Sequence, residues 1–269
     1  MSGDRPVRVG VQLAPQHAPY QQIRDAVRTL EDLGVDAIFN WDHFFPLTGD
    51  LDGMHFEAWT MLAAIAEQTS RVEFGPLVNC NGYRNPDLQA DMARTIDHIS
   101  AHATGTGRFI FGTGSGWFQR DFDEYGYEFG TKGSRLDALA VDLPRIRERW
   151  GRLNPAPTRR IPILIGGGGE RKTLRLVAEH ADIWHTFADL DQLQHKIGVL
   201  DRWCAEVGRD RSEIELSTGT GPRGQGSLDH AVLDRQHELG VRLFIVSLAP
   251  GALDLEPVRQ LLAWRRSRA

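Results

Sequence analysis

Short runs of apolar, often β-branched residues alternate along the chain with longer segments whose apolar positions recur every three or four residues. The first pattern predicts buried strands and the second amphipathic helices. Residues 7–12 form the first predicted strand. Ile23, Ala26, Val27, Leu30 and Leu33 then mark one face of a helix, and Gly34 stands where its C-terminus wants a left-handed residue. Strands follow at 37–41, 71–78 and 108–113, separated by helices at 56–68 and 86–99. The next helix carries Leu136, Leu139, Leu143, Ile146 and Trp150 on one face, with a kink expected at Pro144. The second half keeps the rhythm. Strands are predicted at 161–165, 183–185, 213–218 and 242–248, with helices through Leu174, Val177 and Ala181 and over 190–207, 228–239 and 255–266.

Eight strand–helix units within about 260 residues predict an α/β fold, a (β/α)8 TIM barrel filling 1–269 as a single domain. An open doubly wound sheet shows the same alternation, because alternation does not say whether a sheet closes. No linker, low-complexity tract or composition break suggests a second domain.

Composition narrows the function classes. The 31 Lys and Arg against 36 Asp and Glu give a net charge of −5 with no basic block, so no nucleic-acid partner is expected. No apolar run is long enough to span a bilayer, so no membrane association is expected. The opening MSGDRPVRVGV lacks the apolar core of a signal peptide, so a cytoplasmic location is expected. Two cysteines, Cys80 and Cys204, make neither a disulfide framework nor a zinc site.

A barrel keeps its chemistry where strands end and loops begin. There the fifth predicted strand empties into Gly166, Gly167, Gly168 and Gly169, and a helix is expected to start at once with Arg171 and Lys172 in its first turn. Exposed N–H groups at such a place favour a phosphate, provided Glu170 points away. The spacing is neither the dinucleotide fingerprint nor the P-loop. Gly112, Gly114 and Gly116 alternate with Thr113 and Ser115 at the end of the fourth strand, a pattern that lets a flat ligand approach the backbone or that marks a bulge. His43 follows the second strand in WDHFFP, and a histidine is the side-chain type suited to proton transfer. His17, His55 and His185 share that rim, but none of these four stands at H-x-H or H-x-x-x-H spacing, so no metal is expected. Asn79 and Asn81 carry amides able to read the edge of a heterocycle, Cys80 between them is a small lining residue, and Cys204 belongs to the core. In the loop 219–226, Arg223 either holds an anionic group or lies in solvent.

With these residues assembled, the chain resembles the bacterial luciferase-like family, and within it the deazaflavin (F420)-dependent oxidoreductases. The resemblance runs from Val7 to about Val246 and rests on WDHFF, LVNCNGYRNPDLQADMARTIDHIS, GRFIFGTGSGWFQRDFDEYG, SRLDALAVDL and IPILIGGGGERKTLRLVAEHADIWH. It implies a barrel that binds F420, or alternatively FMN, at the C-terminal ends of its strands. By position it implies that Gly166, Gly167, Gly168 and Gly169 hold the cofactor phosphate and that Asp42 and His43 lie beside the ring. Leu77 and Val78 fall where the family has a bulge with a cis peptide backing the ring, with Asn79, Gly114 and Ser115 next to it. Trp117 stands where sugar-phosphate dehydrogenases of the family have glutamate, so that activity is not expected and Trp117 is assigned to the substrate pocket. Between Trp150 and Ile161 only GRLNPAPTRR remains, a shortened insertion region that leaves the pocket more open.

The resemblance implies an F420-dependent oxidoreductase that moves a hydride between deazaflavin C5 and a small organic substrate, with His43 as the catalytic residue and Asp42 positioning the cofactor or the histidine. A homodimer is expected by analogy. The alternatives are an FMN-dependent monooxygenase, a barrel that binds F420 without turnover, and a lyase or isomerase acting on a phosphorylated substrate.

Overall fold

In the computed structural model, which describes residues 5–221 and 228–268, strand β1 (Arg8–Leu13) runs parallel between β2 (Ala37–Asn40) and β9 (Val241–Leu248). From β9 the sheet continues through β8 (Glu215–Thr220), β7 (Ile183–Thr186), β6 (Ile163–Gly166) and β5 (Phe111–Gly114) to β4 (Asn79–Cys80), and from β2 it continues to β3 (Glu73–Pro76). The two ends of this order meet. The Phe74 N–H donates to Arg108 O at 3.2 Å and the Ile110 N–H to Phe74 O at 2.8 Å, so β3 also pairs with the start of the fourth stave. The chain therefore folds as a (β/α)8 barrel, and the open-sheet alternative falls.

The closing seam is pinned by Arg108. Its buried guanidinium donates to the carbonyls of Ser100, Val72, Ala66 and Thr69 and to Thr69 Oγ1. A cation buried without a carboxylate is tolerated because its N–H groups find oxygen.

Two apolar regions follow from strand alternation. Ala37, Phe39, Leu77, Ile110, Leu164, Ile183, Leu243 and Ile245 fill the inside of the barrel. The opposite faces pack against α1 (Tyr20–Leu33), α2 (Ala58–Gln68), α3 (Pro86–Ser100), α4 (Gln119–Tyr125), α5 (Lys132–Arg152), α6 (Thr173–His180), α7 (Leu190–Val207), α8 (His230–Glu238) and α9 (Glu256–Arg266). Among the described residues no helix is long and apolar enough to cross a membrane.

The structure differs from the sequence expectations at several places. The third strand, expected over 71–78, is two pieces, and between them lies the cis peptide that the family resemblance implied at Leu77–Val78. An unexpected short helix, α4, precedes α5, and α5 continues through Pro144. Residues 153–162 carry neither helix nor strand, in keeping with a shortened insertion. The helix after the four glycines starts at Thr173, so Arg171 and Lys172 precede it rather than form its first turn. Arg223 lies outside the described residues.

Candidate active site at the strand ends

The second stave delivers Asp42 and His43 to the mouth, and the two side chains part there. Asp42 is buried and accepts from both terminal nitrogens of Arg84, at 2.7 and 3.0 Å, and from the Cys80 N–H at 3.0 Å. Burial pushes its carboxyl above the usual range, and the Arg84 guanidinium opposes that push. Arg84 reaches on to Glu57, the N-cap of α2. Asp42 thus ties the second stave to the third and makes no bond to His43, so of its two expected roles, positioning the cofactor or positioning the histidine, the second is corrected.

The partner of His43 is Asp121, in the first turn of α4. His43 Nδ1 lies 2.6 Å from Asp121 Oδ2, while Asp121 Oδ1 accepts the Phe44 N–H at 3.0 Å and Oδ2 also accepts the Tyr83 hydroxyl at 2.8 Å. Sequence reading missed Asp121 because nothing in QRDFDEY separates it from Asp123 or Glu124, which are exposed. His43 Nε2 has no hydrogen-bond partner among the described residues. The ring stands edge-on to Trp117 and Phe118, with centroids 5.8 and 5.5 Å away. Trp117 is 65% exposed, so it borders the mouth rather than the core.

The remaining rim histidines each hold a separate partner. His17 lies against Thr48 O, His55 accepts from Trp41 Nε1, and His185 pairs with Ser217 Oγ inside the barrel. Among the described residues no group of three His, Cys, Asp or Glu side chains could hold a metal ion.

The alternating glycines of the fourth stave make room for the third stave. A Cβ on Gly112 would sit 1.9 Å from Pro76 O, one on Gly114 2.9 Å from Val78 Cγ2, and one on Gly116 2.4 Å from Cys80 Sγ. The expectation that these glycines admit a flat ligand is corrected accordingly: the space beside Gly114 is taken by Val78, which also reaches the Gly166 side of the mouth. Asn79 is committed as well, accepting from Trp59 Nε1 and donating to Gln89 Oε1. Cys80 is buried and its thiol is pushed up to about 12, which leaves it a neutral lining group. Leu77 sends its carbonyl to Gln12 Nε2 at 2.7 Å and its side chain into the barrel core.

The glycine loop keeps donors free. Gly167 adopts φ 121°, a conformation that favours glycine, and its N–H donates to His185 O. The N–H groups of Gly168 and Gly169 have no acceptor among the described residues. Lys196 Nζ lies 2.7 Å from Gly168 O, and Glu170 is drawn aside to His195 and Lys196, as a phosphate site requires. A cavity of about 200 Å³ opens at the start of α5, the helix that Lys172, just past the glycine loop, reaches through its ion pair with Asp137. Ser115, Ser134, Asn81 and Arg135 line it. Asn81 gives its amide N–H to Asp142, but its Oδ1 is buried without a partner. Arg135 stacks on Phe129, donates to the carbonyls of Gly116 and Phe129, and has no carboxylate partner among the described residues. Arg135 was not singled out from sequence, since a lone arginine near a helix start carries no local signal.

A family model of luciferase-like monooxygenases matches residues 5–222. The chain belongs to the luciferase-like monooxygenase family. Among curated relatives, an uncharacterised protein of Mycobacterium tuberculosis is 28% identical over 64% of this chain and 64% of its own length. An F420-dependent glucose-6-phosphate dehydrogenase of Amycolatopsis mediterranei is 29% identical over 58% of this chain and 50% of its own. The matched region therefore spans between half and two thirds of those relatives. Among solved structures, an F420-dependent secondary alcohol dehydrogenase in complex with an F420–acetone adduct superposes with a TM-score of 0.82 at 16% identity, covering 96% of this chain and 97% of its own.

The luciferase-like mouth fits a flavin-type cofactor on its own evidence. It leaves the N–H groups of Gly168 and Gly169 without an acceptor and Arg135 without a carboxylate partner among the described residues, a donor set suited to an anionic tail.

Proposed function

We propose that this luciferase-like protein is an F420-dependent oxidoreductase that transfers a hydride between deazaflavin C5 and a small organic substrate. The observation that carries the reading is the pairing, at one barrel mouth, of Gly168 and Gly169 N–H groups without an acceptor and a histidine Nε2 without a partner among the described residues. The named activities of the Amycolatopsis relative and of the alcohol dehydrogenase support F420 as the cofactor.

The cofactor, when bound, supplies the hydride chemistry. The chain supplies the rest. Gly166, Gly167, Gly168 and Gly169 hold the phosphate, Arg135 and Ser115 extend that anion site, and the Leu77–Val78 segment with Gly114 and Asn79 beneath it backs the ring. His43 Nε2 holds or moves a proton at the substrate oxygen on which negative charge develops. Trp117 offers a flat apolar face to the substrate at the open side.

Titrating the purified protein with F420 and with FMN, followed by fluorescence quenching, tests the reading. F420 should saturate a single site, and substrate-dependent change of the F420 absorbance should follow across a panel of alcohols, carbonyls and conjugated alkenes. Binding of FMN in preference to F420 would replace the proposal with the FMN-dependent monooxygenase, and binding of neither would point to a phosphorylated substrate at the glycine loop.

A further inference from the structure

We propose that Asp121 is the positioning residue of His43, fixing its neutral ring as the Nδ1–H tautomer with the Nε2 lone pair at the mouth. The inference uses the proposed function only for what His43 does in turnover; the ring's placement stands apart from it.

Three donors converge on one buried carboxylate. Phe44 N–H takes Oδ1, and Tyr83 OH and His43 Nδ1 take Oδ2. An ionised carboxylate only accepts, so Nδ1 must carry a hydrogen. Asp121 itself is completely buried, in contact with the buried aromatic pair Tyr83 and Phe122, where the low dielectric strengthens each bond. Burial also raises the Tyr83 phenol, which keeps its O–H as a donor. The carboxylate cannot rotate, because its other oxygen is held by the backbone of Phe44, the residue next to the histidine. Trp117 and Phe118 flank the ring edge-on and leave Nε2 as its one reactive corner. In turnover His43 Nε2 gives one proton to a substrate oxygen, or takes one from it: the N–H bond breaks as the O–H bond forms, or the reverse. Nδ1 keeps its proton throughout, and Asp121 balances the positive charge of the doubly protonated ring.

The lock makes Asp121→Asn informative. Phe44 N–H demands an oxygen at the Oδ1 position, so the amide nitrogen must occupy the Oδ2 position and donate to His43 Nδ1. The neutral ring is then forced into the Nε2–H tautomer. Nitrogen-15 NMR of histidine-labelled protein without cofactor, at alkaline pH, should show His43 as Nδ1–H in the parent and Nε2–H in Asp121→Asn. Turnover should fall by about 10²–10⁴, the cost of a misplaced proton, with cofactor Kd and substrate KM within threefold. Asp121→Glu, which keeps an accepting carboxylate, should recover part of the loss. An Nε2–H tautomer in the parent protein overturns the proposal whether or not the variants fold, and so does an unchanged tautomer or unchanged turnover in Asp121→Asn. A tautomer switch in a protein that shows no F420-linked turnover would sustain the positioning role and remove the oxidoreductase reading instead.

Discussion

The Arg84 guanidinium grips both oxygens of Asp42 while lying over the Trp59 ring, 5.7 Å from its centroid. Asp42 follows the second stave and Arg84 the third, so the pair fastens the two chain segments that flank the Leu77–Val78 bond. Its two members are almost without solvent, with side chains 11% and 0% exposed.

Removing one partner of such a pair strands the other. Arg84→Met should destabilise the protein by about 3–5 kcal/mol, because an uncompensated buried carboxylate remains. Adding Asp42→Asn should recover part of that loss, since a neutral amide costs less to bury. Chemical denaturation of the parent, the single variant and the double variant measures both steps; a loss below about 1 kcal/mol would show that solvent reaches the pair.

For His43, the alanine variant should lose about 10²–10⁴ in turnover while cofactor affinity stays within a few-fold. A rise in cofactor Kd with turnover preserved at saturation would make the histidine a binding contact only. A joint fall of melting temperature and both functions would make it structural.

The glycine loop can be probed without unfolding at Gly168. The nearest atoms to a Cβ there belong to the flexible end of Lys196, at 3.2 Å, whereas Gly167 with φ 121° would strain any side chain. Gly168→Val should weaken F420 at least tenfold with the melting temperature nearly unchanged, because the side chain occupies the space beside the free N–H groups. Gly167→Val should also weaken binding, with some loss of stability added by its backbone conformation. Affinity within twofold of the parent in both variants would remove the loop from the phosphate site.

Exposure separates two readings of Trp117. A side chain 65% exposed contributes little to folding, so Trp117→Ala should leave the melting temperature within about 2 °C and change the ranking of substrates. An unchanged ranking with a clear drop in melting temperature would make it a packing residue. Robust glucose-6-phosphate oxidation by the parent protein would count against its assignment as the substrate-facing group.

Acid should destabilise the fold through two neutral histidines. Burial pushes His185 down to about 3, and burial together with the nearby His43 pushes His55 down to about 4. In the unfolded chain both take up protons below about pH 6.5, so the unfolded state binds more protons between there and the folded values. Stability is therefore full above that window and falls with pH inside it, by up to about 1.4 kcal/mol per pH unit for each histidine. His185→Asn should flatten the slope between pH 6 and 4 by up to that amount, read from denaturation curves at several pH values. Parallel slopes for parent and variant would mean that His185 is protonated in the fold.

Much of the architecture was legible in the chain because its signals are local. Helix α7 matches the predicted 190–207 at both ends, since Asp189 caps its start and Gly208 takes the left-handed conformation at its end, both neighbours in sequence. The strand–helix alternation, the four-glycine loop and the placement of His43 at a strand end are of the same kind. The two-piece third stave and α4 were less visible, being too short to show a period.

What the sequence determined by itself was the set of elements and the kinds of residue their ends would carry; which of those residues meet was decided by the closed barrel. Closure brings Phe74 to Phe109 and so sets the third stave against the fourth, where Gly112, Gly114 and Gly116 receive Pro76, Val78 and Cys80. It brings Asp121 to His43 across 78 positions and leaves the adjacent Asp42 to Arg84, 42 positions away. Hydrophobic periodicity is written by neighbours a few residues apart, whereas a buried carboxylate takes whichever donors the packed tertiary structure places within 3 Å of it.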